Sequence, residues 1–244
     1  MRLLVISDLH ANRGALAMVE ETVDGVVVLG DLVDYGPDPN ETVAWVRRNA
    51  TWVVRGNHDH AVATGSATGA SPTWADLAEA SATWTRAALD GDERAYLGSL
   101  PVSASFLFAG TRFAAFHAAP TDPLYRYLGP ETPEETWRAE LETVDADWLL
   151  LGHTHRPLLR KVGPTTILNP GSVGQPRAGV PLATYAIWDD GDVFLVHRRY
   201  DIGPVVARLA ERPGPKAHRA RLERTLRSGE IAGASLPVLI EDQG

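Results

Sequence analysis

Five short β-forming runs in this 244-residue chain each stop at a cluster of polar residues, and that repetition constrains the fold more than any other feature. Arg2-Leu3-Leu4-Val5-Ile6 leads to Asp8 and His10, Val26-Val27-Val28-Leu29 to Gly30 and Asp31, and Thr51-Trp52-Val53-Val54 to Gly56, Asn57 and His58. Arg112-Phe113-Ala114-Ala115-Phe116 ends at His117, and Trp148-Leu149-Leu150-Leu151 at Gly152, His153 and His155. Apolar runs of this kind read as buried strands. Polar side chains at the carboxyl tips of such strands lie where open α/β sheets bind ligands. The two-residue spacing of Asp8 and His10, repeated by His153 and His155, puts each pair on one face of a continuing strand. Gly30 and Gly56 read as points where the backbone turns sharply. Carboxylate, imidazole and carboxamide groups then gather in the mix that two closely spaced divalent cations require.

Between these runs the pattern alternates. Helices are expected at residues 13–22 and from Pro39 to Asn49, then a small-residue loop from His60 to Pro72, a helix from Thr73 to Leu89 and a further helical stretch from Asp92 to Leu97. Gly110 between Phe106-Leu107-Phe108-Ala109 and Arg112-Phe113-Ala114-Ala115-Phe116 reads as a hairpin. Pro133 to Glu142 reads as a helix with Thr132 as its N-cap. The expected fold is α/β: a β-sandwich flanked by helices, one domain over residues 1–244, with a helical insertion at 60–100 and a C-terminal helical tail at 201–244.

Read in order, Asp8-Leu9-His10, Gly30-Asp31-Leu32-Val33-Asp34, Gly56-Asn57-His58-Asp59, His117 and Gly152-His153-Thr154-His155 resemble the signature of calcineurin-like metallophosphoesterases. The likeness spans residues 1–200. It is nearest to compact bacterial and archaeal phosphoesterases, through Asp8 to Asn12 and Gly30 to Pro37. The resemblance implies that Asp8, His10 and His155 hold one metal, that Asn57, His117 and His153 hold the other, and that Asp31 bridges them. It implies a water or hydroxide shared by two cations about 3.5–4 Å apart, with its pKa lowered toward about 7. His58 resembles the general acid that protonates the leaving alkoxide, and Asp34 the carboxylate that raises its pKa. Nitrogen and oxygen donors without any cysteine suit Mn²⁺ first, with Fe, Ni²⁺ or Zn²⁺ as alternatives.

The implied activity is hydrolysis of small phosphate esters, either phosphodiesters or nucleotides such as dinucleoside polyphosphates. Phosphoprotein phosphatase and non-catalytic metal-binding scaffold are the alternative readings. Two departures weigh against the first of these: Tyr35 follows Asp34 where protein phosphatases carry an arginine, and Asp59 follows His58 where they carry glutamate. A formal charge of −8 disfavours a nucleic-acid partner. No apolar run approaches the roughly 20 residues of a membrane helix, and Arg2 opening a strand leaves no room for a signal peptide, so the expected location is cytoplasmic.

Several residues carry two readings. Asn12 either contacts substrate phosphate or caps the helix that follows it. Trp74 and Trp84 either pack or stack on a base. Asn169-Pro170-Gly171-Ser172 reads as a tight turn, and His60, His197 and His218 as structural. Asp59 is expected to orient a neighbouring imidazole. Nine Lys or Arg against three Asp or Glu from Arg198 to Arg227 make either a solvated helix surface or an arm that reaches polyphosphate.

Overall fold

The computed structural model describes residues 1–230; the final part of the expected tail, residues 231–244, lies outside them. One five-stranded sheet has the order β10-β9-β1-β2-β3 and another the order β4-β5-β6-β8-β7. In the first, β1 (Arg2–Ile6), β2 (Gly25–Val28) and β3 (Trp52–Val53) run parallel, while β9 (Ala183–Asp189) pairs antiparallel with β1 and β10 (Asp192–Arg198) antiparallel with β9. In the second, β5 (Thr111–Phe116), β6 (Trp148–Leu150) and β8 (Thr165–Asn169) run parallel between the edge strands β4 (Ser103–Phe108) and β7 (Leu158–Val162).

Alternation along the strands builds the layers. Leu3 and Val5 of β1 face one way, into a core shared with Phe108, Phe113, Ala115, Leu150 and Leu168 of the other sheet. Leu4 and Ile6 face the other way, onto helices α1 (Arg13–Leu16) and α2 (Pro39–Asn49) through Leu16, Val43 and Val46. The opposite face of the second sheet packs Ala114, Leu149 and Ile167 against Trp137 of α6 (Glu134–Leu141). A sandwich of two sheets between helices is therefore the observed architecture, as the pattern predicts. Trp52 stacks on Phe106 with ring centroids 4.1 Å apart, closing the open end of the inter-sheet core.

Local departures have local causes. Helix α1 ends at Leu16 rather than at residue 22, because Met18 and Val19 donate to carbonyls only three residues back and tighten the chain out of the helix. The loop expected from His60 begins later: Asn57–Thr64 is helix α3, closed by Gly65 at φ +81°. Helices α4 (Ala75–Ala88) and α5 (Gly91–Ser99) follow as expected. Thr132 is not the N-cap of α6; Pro133 holds that position, and the Thr132 hydroxyl accepts from the Gly129 N–H at 2.9 Å. The hairpin at Gly110 is present, with Ala109 and Gly110 both at positive φ, the geometry that matches strand twist. The tail forms α7 (Ile202–Glu211) and α8 (Lys216–Ser228), whose Val205, Leu209, Leu222 and Leu226 pack against Tyr35 and Trp74.

Candidate metal centre

The chain leaves the carboxyl ends of β1, β2, β5 and β6 into loops that meet over one end of the sandwich, joined by the amino terminus of α3. The expected strand alternation does not deliver the ligands. Asp8, His10, Ala11, Asp31, Asp34, Tyr35, His153 and His155 all have positive φ, from 42° to 75°, and make up eight of the ten non-glycine residues in that region among the described residues. Each such conformation costs on the order of 1 kcal/mol or more and persists only where the surroundings impose it. Here they do: Asp8, His10 and Ala11 donate in turn to the carbonyls of Gly30, Asp31 and Leu32, and Gly174 donates to that of Asp8. Gly30 turns at φ +88°, as expected, but Gly56 does not turn sharply. Its φ is −86°, and glycine is required because a Cβ would collide with the Asp31 carboxylate.

Two clusters result, sharing Asp31: Asp8, His10, Asp31 and His155, and Asp31, His117 and His153, every one of them buried. In the first, His10 Nε2 and His155 Nε2 are 3.2 Å apart, while their Nδ1 atoms face the carbonyls of Val33 and Gln175. Both Nδ1–H groups are committed, so two lone pairs point at each other. Burial holds both imidazoles well below the usual histidine range and therefore neutral. Asp8 Oδ1 lies 3.3 Å from His155 Nε2, buried and without a hydrogen-bond partner. Converging lone pairs and an orphaned carboxylate oxygen form an acceptor pocket suited to a cation.

The second cluster repeats the logic with Asn57. Its Nδ2 donates to Thr68 O, which turns Oδ1 inward to 2.9 Å from His117 Nε2 and 3.1 Å from His153 Nδ1. His117 Nδ1 donates to Leu29 O at 2.7 Å. Burial opposes a charge on His117, yet Asp31 beside it pushes its pKa up to about 9, so a proton occupies the electronegative position that the donor set creates. Burial also opposes ionisation of Asp31, but the neighbouring imidazoles hold it well below the usual carboxylate range. His153 uses Nδ1 here; its Nε2 is buried beneath the Tyr127 ring, with centroids 4.0 Å apart.

His58 stands beside both clusters. Its backbone N–H donates to Asp31 Oδ1 at 2.9 Å, and its Nδ1 lies 2.6 Å from Asp34 Oδ2. Burial lowers its pKa, but the charge of Asp31 and the bond to Asp34 outweigh this and raise it above the usual histidine value. The ring lines a cavity of about 200 Å³ together with Asp31, His153 and His155 on one side and Tyr35, Trp74 and Tyr127 on the other.

The remaining expectations divide. Asn12 is the cap: Oδ1 accepts from Ala15 N–H, and Nδ2 donates to Gly174 O and Tyr200 Oη, which leaves no free donor for a phosphate. Asp59 does not orient an imidazole; it accepts from the N–H groups of Gly56, Leu32 and Val33 and so ties α3 to the Asp31 loop. Asn169 and Ser172 do more than turn the chain, since Asn169 holds Gly152 O and Ser172 holds Asp8 O. Trp74 lines the cavity, whereas Trp84 packs under the Arg212 guanidinium, 3.7 Å from ring centroid to Cζ. The tail arginines brace rather than reach: Arg208 pairs with Asp38, and Arg212 donates to Tyr35 O, Gly36 O and Ser81 Oγ. Tyr127, Gln175 and Arg177 were not anticipated. The available signal was that Gln175-Pro176-Arg177 follows the tip of a strand, as every candidate ligand does.

Residues 1–192 match the calcineurin-like phosphoesterase superfamily domain. The chain belongs to that superfamily, whose members are metal-dependent phosphoric ester hydrolases. It is 31% identical to a metallophosphoesterase from Sphaerobacter thermophilus, covering 91% of this chain and 98% of that one at a TM-score of 0.78. Uncharacterized protein MJ0912 of Methanocaldococcus jannaschii is 28% identical over 235 residues, 87% of this chain and 93% of that protein. Hypothetical protein PH1004 from Pyrococcus horikoshii OT3 shares the fold at a TM-score of 0.82 and 21% identity, over 95% of this chain and 99% of that one.

Proposed function

We propose that this protein is a dinuclear metal-dependent phosphoesterase acting on small phosphodiesters or nucleotides, dinucleoside polyphosphates among them, as one domain working in the cytoplasm. The observation that supports it most strongly is the pair of acceptor clusters sharing Asp31, each with its lone pairs converging, and with the outer N–H groups of His10, His155 and His117 already committed to backbone carbonyls. Asp8, His10, Asp31 and His155 would hold one ion, and Asp31, Asn57, His117 and His153 the other, with Mn²⁺ the first choice for a donor set of nitrogen and oxygen. When bound, such a pair supplies Lewis acidity toward phosphoryl oxygens and a water of lowered pKa.

The chain's own residues supply the rest. His58, kept protonated by Asp34, faces the cavity and donates its proton to the departing oxygen. Tyr35, Trp74 and Tyr127 exclude water from one side and leave room for a phosphoryl group and its first substituent, the remainder of a larger substrate lying outside. A cavity of about 200 Å³ walled in this way does not admit a folded phosphoprotein surface, which disfavours that alternative. The test is to strip the protein of metal, add Mn²⁺, Zn²⁺, Fe²⁺ or Ni²⁺ back singly, and assay mono-, di- and polyphosphate esters. Mn²⁺-restored turnover of diesters or nucleotides is expected; metal-independent turnover, or none with any ion, would overturn the reading.

A further inference from the structure

Arg177 is the one cation lining the cavity whose charge nothing described in the protein balances. Other arginines near the site tie elements together: Arg208 joins α7 to Asp38, Arg212 joins it to the Tyr35 loop, and Arg221 binds Thr73 O over the Trp74 ring. Arg177 braces nothing of that kind. Its hydrogen bonds run to Gln175 Oε1, from Nε at 3.1 Å and from Nη2 at 2.7 Å, two residues back in its own loop. Among the described residues no carboxylate pairs with it.

Gln175 is itself buried and fixed to the metal centre. Its backbone carbonyl accepts from His155 Nδ1–H at 2.6 Å, and its N–H donates to Ser172 Oγ, which in turn donates to Asp8 O. The residue that orients a metal ligand through its main chain thus aims a guanidinium through its side chain. With Nε and Nη2 held, the remaining N–H groups of a planar fork are directed without the entropy loss that a free arginine pays on binding. Arg177 lines the cavity together with Asp31, His58, His153 and His155, so the guanidinium faces the same floor they form. Two divalent ions on that floor would outweigh Asp8 and Asp31, and a further unpaired cation beside them is stable only with an anion between.

We infer that Arg177, clamped by Gln175, is the residue that grips the non-bridging phosphoryl oxygens of the substrate. The inference rests on the phosphoesterase reading above and adds to it the protein group that binds the anion. Both sites come from the same stretch after β8, so phosphate capture and orientation of His155 are mechanically joined.

The experiment compares Mn²⁺-loaded wild type with Arg177→Ala, Arg177→Lys and Gln175→Ala. It measures KM for an aryl phosphodiester, inhibition by inorganic phosphate, calorimetric binding of inorganic phosphate, and metal content. Loss of a charge-assisted bond predicts KM and phosphate inhibition constants raised about 10- to 100-fold in Arg177→Ala with both metals retained. Lysine should recover only part of this, because it cannot be held by Gln175 and donate as a fork. Gln175→Ala should show a smaller rise, and millimolar guanidinium should partly rescue Arg177→Ala. Inhibition constants within twofold of wild type, or changes that merely follow lost metal, would overturn the inference. If wild type binds phosphate through Arg177 but hydrolyses no ester, the activity reading falls and the anion site stands. If wild type turns over and Arg177→Ala is unaltered, the reverse holds.

Discussion

Asp31 belongs to both acceptor clusters, and its Oδ1 also receives the N–H of His58, so one carboxylate joins the two clusters to the candidate acid. Asp31→Asn should therefore keep the fold yet bind fewer than two ions, with hydrolysis lost; metal analysis beside far-UV circular dichroism checks this, and an active two-metal variant would refute the bridge. His58→Ala separates proton transfer from binding. Both ions should stay, while kcat on esters with poor leaving groups falls by roughly 10²–10⁴ and activated aryl esters suffer less. The pH profile carries the sign. As the proposed acid, His58 must be protonated to act, so activity should fall as pH rises through its pKa. Bound cations offset the charge of Asp31, leaving Asp34 as the main group opposing burial. Asp34→Asn should move the alkaline limb of the kcat profile to lower pH, and an unmoved limb would assign it to another group.

At the level of elements, the C-terminal helices reach the site without lining the metal floor. Arg212 leaves the end of α7, inserts its buried guanidinium under the Tyr35-Gly36 turn, and bonds two carbonyls and the Ser81 hydroxyl of α4. Asp34 and Tyr35 both sit at positive φ in that turn, so α7 and α4 together hold in place the strained segment that aims Asp34 at His58. Burial without a carboxylate partner pushes the Arg212 pKa down to about 10, which keeps it charged at neutral pH. Arg212→Met leaves two carbonyls unsatisfied at a cost of about 1–3 kcal/mol each. It should lower Tm and shift the His58 limb while leaving metal content intact. A lowered Tm with an unchanged pH profile would mean that the tail stabilises the fold and does not position the acid.

For the molecule as a whole, metal binding and protonation compete for one position. In the metal-free protein His117 holds a proton below about pH 9, and a cation arriving at that cluster displaces it. Apparent affinity for the first Mn²⁺ should therefore rise with pH between 6 and 8, by up to about tenfold per unit for one displaced proton. Calorimetry in buffers of different ionisation enthalpy would detect the released proton, and pH-independent affinity with none released would contradict the linkage. The sandwich makes this competition possible. Strand tips from both sheets bring groups more than a hundred residues apart, such as Asp8 and His153, into a buried cluster where water cannot screen them.

What the sequence determined by itself was local and periodic. The unbroken apolar run Leu3 to Ile6 marked a strand buried on both faces, because a strand exposes alternate side chains to its two sides and all of these are apolar. The order of Asp8, His10, Asp31, Asn57, His117, His153 and His155 at strand ends was legible for the same reason, since each follows an apolar run within a few residues. Tertiary structure decided how those residues converge. The left-handed backbone at Asp8, His10 and His153 is imposed by hydrogen bonds to loops distant in sequence, which no local spacing encodes. Asn12 as a cap, Asp59 as a tie between loops, and Arg177 as an unbalanced charge depend likewise on partners that the chain supplies only once folded. The deciding physics is desolvation: a polar group taken from water must find its partners, and which ones lie within reach is a property of packing alone.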